Sequence, residues 1–446
     1  MGKVGEEGKK KGRKVVKIIT YGCAVNRSDS EILAGLLEKE NYTVIFEGEK
    51  AKEEEKEDKA DFVIINTCIV KHTTYNKVLA RIKKEVEKRG KENVIVAGCL
   101  PSALPEIVEK IGCPYITVES LEDVLKILES GKRKRVENQR MEKVNLPRKR
   151  INKGIHIQQI SSGCLGKCTF CITKFARGNL YSYDLNEIVE DVEKAIDQGI
   201  KEIWLTSQDN ACYGFDKGTN LADLLKELTK IKGKFWIRVG MMSPGYLKPF
   251  LDDLIKAYES EKIYKFIHVP VQSGSERILK MMKRPHTVKD FVDVVNAFRR
   301  KFDKLSVWTD VIVAFPGETE KDFEETKKLM ESVKPDFINV SRFSSHKKTE
   351  ASKMLQLPSG VKKERSREMV ALMRKISKEK NKEWLGWKGE VLITEYNEEK
   401  ENWIGHNYAY KQIVIKGPRE PNLIGEFVKV KIIDYGHAHL EGEIIR

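Results

Sequence analysis

Three cysteines crowd into one short stretch, Ser161–Ser182, which reads SSGCLGKCTFCITKFARGNLYS. Cys164, Cys168 and Cys171 stand in C-x3-C-x2-C spacing, with Phe170 just ahead of the last. On a glycine-bearing loop, this spacing lets three thiolates converge on one inorganic centre. Iron–sulfur clusters are held by cysteine thiolates, usually four. Three in one loop, with no fourth at matching spacing, suggest a cluster with one iron left open for a substrate. The plainer readings are a zinc site or three unrelated thiols. Structural zinc takes four ligands in paired groups, and this sequence has no such partner pair.

Three further cysteines share a different placement. Short β-branched runs at 15–20 (VVKIIT), 61–66 (DFVIIN) and 93–97 (NVIVA) each lead into a cysteine: YGC at Cys23, NTC at Cys68 and AGC at Cys99. Helical periodicity around 28–40, 75–89 and 104–111 separates the runs, which predicts a small parallel α/β domain. In such a sheet the carboxyl ends of the strands form the ligand-binding edge. Cysteines distant in sequence would therefore meet at one edge, as a second metal centre would require. The alternative is that they are ordinary buried thiols. Cys113 and Cys212 lack this placement and read as structural.

The elements that must position the central triplet begin after a linker. Segment 131–154 holds ten Lys/Arg against two Glu and shows no apolar period. Beyond it come six strand-like runs, at 155–160, 202–206, 235–239, 265–269, 306–313 and 336–341. Helical segments follow them near 186–198, 220–231, 247–259, 287–302, 319–333 and 361–384. Six β/α units predict a partial version of the eight-fold barrel, with its site where the strands end. The loop after the first of these strands carries the triplet. The last sixty or so residues read as four strands, at 389–395, 411–416, 425–434 and 438–445. They predict a small antiparallel barrel of OB-like size. Such barrels bind RNA through aromatic and basic side chains, and Trp403, His406, Tyr408, Tyr410, Lys411 and Arg419 are on offer. His437 and His439 have no third ligand nearby and read as surface residues.

At 446 residues with 40% apolar content, the chain can furnish two to four domains. No run approaches the ~18 apolar residues of a membrane span. The N-terminal stretch MGKVGEEGKKKGRK has no apolar signal core. Eight cysteines clustered in this way suit a reducing compartment, so the expectation is a cytoplasmic protein with no membrane partner. The net charge of +15 is uneven, with basic excess in 131–154, in 361–382 (nine Lys/Arg against three Glu) and in 1–17 (seven against two). Patches of this kind are the footprint of a polyanion-binding protein, although a lysine-rich solvated surface has the same composition. Neither G-x-x-x-x-G-K-[ST] nor G-x-G-x-x-G occurs, which leaves nucleotide hydrolysis and dinucleotide redox without support.

Taken together, these segments resemble the radical S-adenosylmethionine (SAM) methylthiotransferases over essentially 15–446. The resemblance rests on TYGCAVNRSDSE (Thr20–Glu31), NTC and AGC, then GCLGKCTFCITKFARGNLYSY (Gly163–Tyr183). It continues through LTSQDNACYG (Leu205–Gly214), HVPVQSGS (His268–Ser275), MKRPHT (Met282–Thr287) and TDVIVAFPGETEKDF (Thr309–Phe323). The tail is similar to the TRAM barrel. The form of Thr173–Tyr183 resembles the archaeal and eukaryotic branch, which converts N6-threonylcarbamoyladenosine beside the tRNA anticodon to its 2-methylthio derivative. The resemblance divides the chain into a basic tail (1–14), a Rossmann-like methylthiotransferase domain (15–130), a basic linker (131–154), a radical SAM barrel (155–384) and a TRAM domain (385–446).

It also implies two 4Fe–4S clusters. Cys164, Cys168 and Cys171 would hold the one that binds SAM, and Cys23, Cys68 and Cys99 the auxiliary one that carries the sulfur. Implied partners are tRNA and an electron donor such as a ferredoxin or flavodoxin, with the sulfur donor unspecified. Polar residues at predicted strand ends, Ser207, Gln208, Arg238 and Gln272, are candidates to hold SAM, with helix capping as the alternative, and Phe170 could pack against the adenine. Arg177 and Ser182 match the family motif without an assigned role, and Pro316–Gly317 reads as a turn against the cofactor. Two stretches depart from the family pattern: SRFSSHKKTEAS (Ser341–Ser352), where His346, Lys347 and Lys348 replace an Arg-Pro-Gly, and LPSALPE after Cys99. Two further readings are a branch that modifies a ribosomal-protein aspartate, and a non-catalytic iron–sulfur RNA-binding protein. The basic linker and ARGNL motif argue against the former, and the latter would leave the open triplet without purpose.

Overall fold

A computed structural model describes residues 13–48, 60–130 and 140–445, which fall into two compact units. The first is built on a four-stranded parallel sheet. Its strands are β1 (Val15–Thr20), β2 (Thr43–Phe46), β3 (Phe62–Thr67) and β4 (Val94–Gly98), in the order β2-β1-β3-β4. β1, β3 and β4 are almost wholly buried, as expected of parallel strands covered on both faces, and this is why they read as unbroken apolar runs. Helices Ala24–Lys39 and His72–Arg89 make the crossovers. Cys23 is the N-cap of the first of these, Cys68 directly follows β3, and Cys99 opens the short helix Cys99–Ala103 after β4. The three thus lie at the carboxyl ends of three adjacent strands.

The second unit begins with β5 (Ile155–Gln159), β6 (Ser161–Ser162) and β7 (Tyr181–Ser182), the last two forming a hairpin around the cysteine loop. Then follow β8 (Glu202–Thr206), β9 (Trp236–Val239), β10 (Phe266–His268), β11 (Ser306–Val313) and β12 (Phe337–Arg342). Two parallel triplets, β5-β8-β9 and β10-β11-β12, are joined by the parallel bridge between Ile237 and Ile263. This is the predicted six-stranded partial barrel. Ile203, Leu205, Ile237, Val239, Ile267, Val307 and Val311 pack outward into one core with the surrounding helices. Helix starts are fixed locally: Asn220, Thr287 and Thr319 each form a capping box with an Asp three residues on.

The residues that alternate with that outward set fill the lumen. Trp204 and Phe266 each lie 5.3 Å from the Arg238 guanidinium, and Phe266 meets Trp308 edge-on at 5.2 Å. The floor is completed from the chain's far end. There, β13 (Lys388–Asn397), β14 (Asn402–Asn407), β15 (Gln412–Lys416), β16 (Phe427–Tyr435) and β17 (Leu440–Ile444) close a barrel in the order β13-β14-β15-β17-β16. The turn between β14 and β15 sends Tyr410 against Tyr264, Phe266 and Trp308. Lys411 forms an ion pair with Asp336 at 2.6 Å and donates to Asn381 at 2.9 Å.

Two expectations are corrected here. The terminal barrel has five strands rather than four, because β14 (NWIGHN) lacks an apolar run. Its Gly405 is needed for close approach, since a side chain there would meet the Leu392 carbonyl oxygen at 2.4 Å. Most of the residues offered to RNA are also spent on packing. Trp403, Tyr410 and Lys411 are 2%, 5% and 7% exposed, His406 stacks on Tyr410 at 4.2 Å, and Tyr408 packs on Trp384 and Trp387. A buried aromatic–cation cluster is what an intramolecular seam needs just as much as an RNA site does. Only Arg419, paired with Glu398 at 2.7 Å, stays on the surface.

Candidate functional site

The cysteine loop is tied down on every side. The Gly163 N–H donates to Gln208 Oε1 at 2.6 Å, and the Thr169 N–H donates to the Met282 carbonyl at 3.0 Å. Ala351 N–H donates to the Thr169 carbonyl at 2.9 Å, and Cys171 N–H to the Cys168 carbonyl at 3.1 Å. Inside this frame the sulfurs of Cys164 and Cys168 both border the space beside Gly166. A side chain at Gly166 would meet Cys164 Sγ at 3.4 Å and Cys168 Sγ at 3.6 Å, so the glycine leaves room beside two of the three thiols. Donors are already aimed at them. Gly166 N–H reaches Cys164 Sγ at 3.2 Å, and Arg284 Nη1 reaches Cys168 Sγ at 3.3 Å while its Nη2 is held by Ser243 Oγ at 2.9 Å. Hydrogen-bond donors to the ligand atoms are the outer partners that a metal-bound sulfur needs. The cradle and its donor set fit an iron–sulfur cluster.

Cys212, which reads as structural in the sequence, is buried next to the triplet. Its thiol lies beside that of Cys164, and Cys164, Asp209 and Cys212 place their ligand atoms within 4.8 Å of one another. The contact holds the Cys164 thiol below its ordinary range and pushes that of Cys212 up. Burial pushes the Cys171 thiol and the Asp209 carboxyl up, the latter despite hydrogen bonds from Ser243 and Ala211. A signal existed: Cys212 follows β8, the neighbour of β5.

The other expected residues separate. Gln208 positions the cysteine loop, as above. Ser207 Oγ donates to Asn210 Oδ1 at 3.2 Å and accepts from Asp209 N–H at 3.1 Å, which is the work of a turn. Gln272 has a left-handed backbone (φ 73°), and its N–H and carbonyl are spent on Asp310 and Ile312. Arg238 lies among the floor aromatics, 5.3 Å from the Tyr410 ring. Phe170 meets Phe315 at 6.4 Å, and Phe315 meets Phe343 at 5.3 Å, an apolar wall on one side of the loop. Ser182 Oγ accepts from Gly214 N–H at 2.9 Å, and Ser182 N–H donates to Asp216 at 2.9 Å, which tie the hairpin to the loop after β8. Arg177 is buried at the end of helix Thr173–Arg177.

In the first unit, Asn26 links the three strand ends. Its Nδ2 donates to the Tyr21 and Thr67 carbonyls at 2.9 and 2.8 Å, and its Oδ1 accepts from Cys99 Sγ at 3.6 Å. Asn66 Nδ2 donates in turn to the Asn26 carbonyl at 2.8 Å. A side chain at Gly22 would meet Cys68 Cβ at 2.9 Å, so the Cys23 turn and Cys68 are in close approach. Cys23 is exposed and is the N-cap residue of helix Ala24–Lys39.

Family models match in three consecutive blocks: the uncharacterised family UPF0004 over residues 15–118, the radical SAM superfamily over 159–330 and the TRAM domain over 385–445. A probable threonylcarbamoyladenosine tRNA methylthiotransferase of Pyrococcus horikoshii is 41% identical over 96% of this chain and 99% of its own. Its counterpart in Archaeoglobus fulgidus is 42% identical, over 96% and 98%. The human threonylcarbamoyladenosine tRNA methylthiotransferase is 34% identical, over 97% of this chain and 74% of its own. Among solved structures, the radical SAM methyltransferase TsrM of Kitasatospora setae aligns with a TM-score of 0.57 at 14% identity, over 76% of this chain and 77% of that one. That likeness concerns the fold.

Proposed function

Because the chain belongs to the radical SAM threonylcarbamoyladenosine tRNA methylthiotransferase family, we propose that it converts N6-threonylcarbamoyladenosine in tRNA to the 2-methylthio derivative. The observation that carries the reading is near-full-length relatedness, 34–42% identity, to proteins of that name. The radical SAM family implies a 4Fe–4S cluster and SAM, and Cys164, Cys168 and Cys171 are the residues that would hold that cluster. Cys23, Cys68 and Cys99 would hold a second. When bound, these groups supply the electron, the radical and the sulfur needed to functionalise an adenine C–H bond that no ordinary base deprotonates.

The chain's own residues bind, orient and exclude water. Arg284 and Gly166 point donors at the cluster-facing sulfurs, and Gln208 fixes the start of their loop. Phe170, Phe315 and Phe343 keep one side of the site dry. Asn26 and Asn66 hold the second trio in register. A tRNA substrate and a low-potential electron donor would be the partners, and the cytoplasm the place of action.

The test is mass spectrometry of tRNA nucleosides after anaerobic reaction of the reconstituted protein with threonylcarbamoylated tRNA and SAM. The methylthio product should form, with roughly eight iron per chain. Cys164→Ala should abolish SAM cleavage. Cys23→Ala should retain SAM cleavage and lose methylthiolation. Product on a ribosomal protein instead of tRNA would overturn the substrate, and full methylthiolation by Cys23→Ala would overturn the second centre.

A further inference from the structure

Helix Ser359–Lys382 distributes its charge unevenly. At ~100° per residue, Lys363, Arg367, Arg374 and Lys378 fall within about 60° of one another around its axis. All four are exposed. Lys363/Arg367 and Arg374/Lys378 are like-charged i,i+4 neighbours, an arrangement that opposes helix formation. Of the helix's three acids, Glu368 and Glu379 lie on the other edge of its exposed face and pair with Lys327 and Lys334 at 2.8 and 3.4 Å, while the exposed Glu364 stands about 40° beyond the row. Among the described residues, none of the four cations has a carboxylate within ion-pair distance.

Both ends of this row are anchored to features already described. Near its start, Arg365 is buried against Glu318 at 2.7 Å, and the Lys362 ammonium lies 5.4 Å from the Phe343 ring. That ring belongs to the Phe343–Phe315–Phe170 wall beside the cysteine loop. At its end, Asn381 donates to the Gly436 carbonyl at 2.9 Å and accepts from Lys411, both in the terminal barrel. At ~1.5 Å per residue the row is about 22 Å long, roughly the reach of six or seven phosphates on one strand at ~3.4 Å each.

We propose that this row is a phosphate track, along which the backbone of the substrate RNA passes between the cysteine-loop wall and the terminal barrel. The proposal rests on the tRNA reading above. It assigns RNA contact to a helix of the radical SAM unit, while the aromatic–cation turn of the terminal barrel serves as a seam.

The experiment measures tRNA affinity of the full chain by titration across a series of salt concentrations. The row variant is Lys363→Gln, Arg367→Gln, Arg374→Gln and Lys378→Gln together. A control variant carries the same charge change elsewhere on exposed positions: Lys226→Gln, Lys232→Gln, Lys256→Gln and Lys280→Gln. Glutamine is a good helix former, and melting curves verify that both fold. The row variant should bind at least tenfold more weakly at low salt. Its slope of log affinity against log salt should be shallower by about 3, the release expected for four phosphate contacts at ~0.7–0.9 each. The control should change both far less. Equal losses in the two variants would show that net charge alone matters and would overturn the track. Wild-type affinity in the row variant would overturn it while leaving the tRNA reading intact. A wild-type chain that binds no tRNA would overturn both.

Discussion

Lys411→Met puts the seam between the terminal barrel and the radical SAM floor to a direct test. Lys411 is 7% exposed and Asp336 6%, and their 2.6 Å ion pair has Asn381 as a further partner of the ammonium. Asp336 Oδ2 also accepts from Val307 N–H at 2.8 Å, so the carboxylate stays in place when the lysine is removed. A buried charge that loses its partner costs about 3–5 kcal/mol. Unfolding entropy near 2.1 cal/mol/K per residue gives ~0.9 kcal/mol/K for 446 residues melting as one unit, hence a fall in Tm of about 3–5 °C. Adding Asp336→Asn removes the orphaned charge but keeps an acceptor for Val307, and it should recover at least half of the loss. Thermal melting of the four proteins of this cycle gives the coupling directly. Titration with tRNA below the melting range should show affinity within a factor of two of wild type. An unchanged Tm accompanied by lost tRNA affinity would refute the seam and return Lys411 to the RNA surface.

Two other outcomes test the geometry around the cysteine loop. His286 is buried with its Nε2 on the Val271 carbonyl at 3.2 Å, and burial, then Arg284, lowers its pKa to about 4. The unfolded chain therefore binds the extra proton first as pH falls, so stability is lost from about pH 6.5 down to pH 4, by up to about 3 kcal/mol. His286→Gln should flatten that part of the wild-type stability profile, and an identical acid limb in both proteins would contradict it. In iron-free protein, alkylation of Cys164 followed by peptide mass spectrometry should begin at lower pH than for an ordinary thiol. Cys212→Ala should move that onset upward, because the thiol that stabilises the Cys164 thiolate is gone. No movement would mean that the two sulfurs do not communicate.

Much of the scaffold was legible in the sequence because its strands are parallel and doubly buried, so each announces itself as an apolar run. The six strands of the radical SAM barrel lie within a residue or two of the expected runs, and β1, β3 and β4 likewise. β2 and β14 escaped, the first through its length of four residues, the second because Asn402, Gly405, His406 and Asn407 interrupt its pattern. The cysteines were legible by spacing and by their place after strands. Cys212 also follows a strand, β8, but it lies in a short 3-10 turn, Asn210–Cys212, and its approach to Cys164 is supplied by the fold. Tyr410 and Lys411 show a deeper limit. A tyrosine beside a lysine suits an RNA base and phosphate, and equally a buried ring stack and an ion pair. Composition cannot tell which partner is covalently attached.

The floor of the radical SAM barrel also sets a timetable. Trp236, Phe266 and Trp308 are covered in part by Tyr410, which is translated last of the four. About 100 residues separate Trp308 from Tyr410, so at ~5–20 residues per second the nascent barrel carries a bare aromatic patch for roughly 5–20 s. A message truncated before Tyr410 would leave that patch open for good, making the shortened product a substrate for chaperones and proteases rather than a smaller working enzyme. The terminal barrel is separable on paper, but in the ribosome's order of events it is the piece that covers the floor.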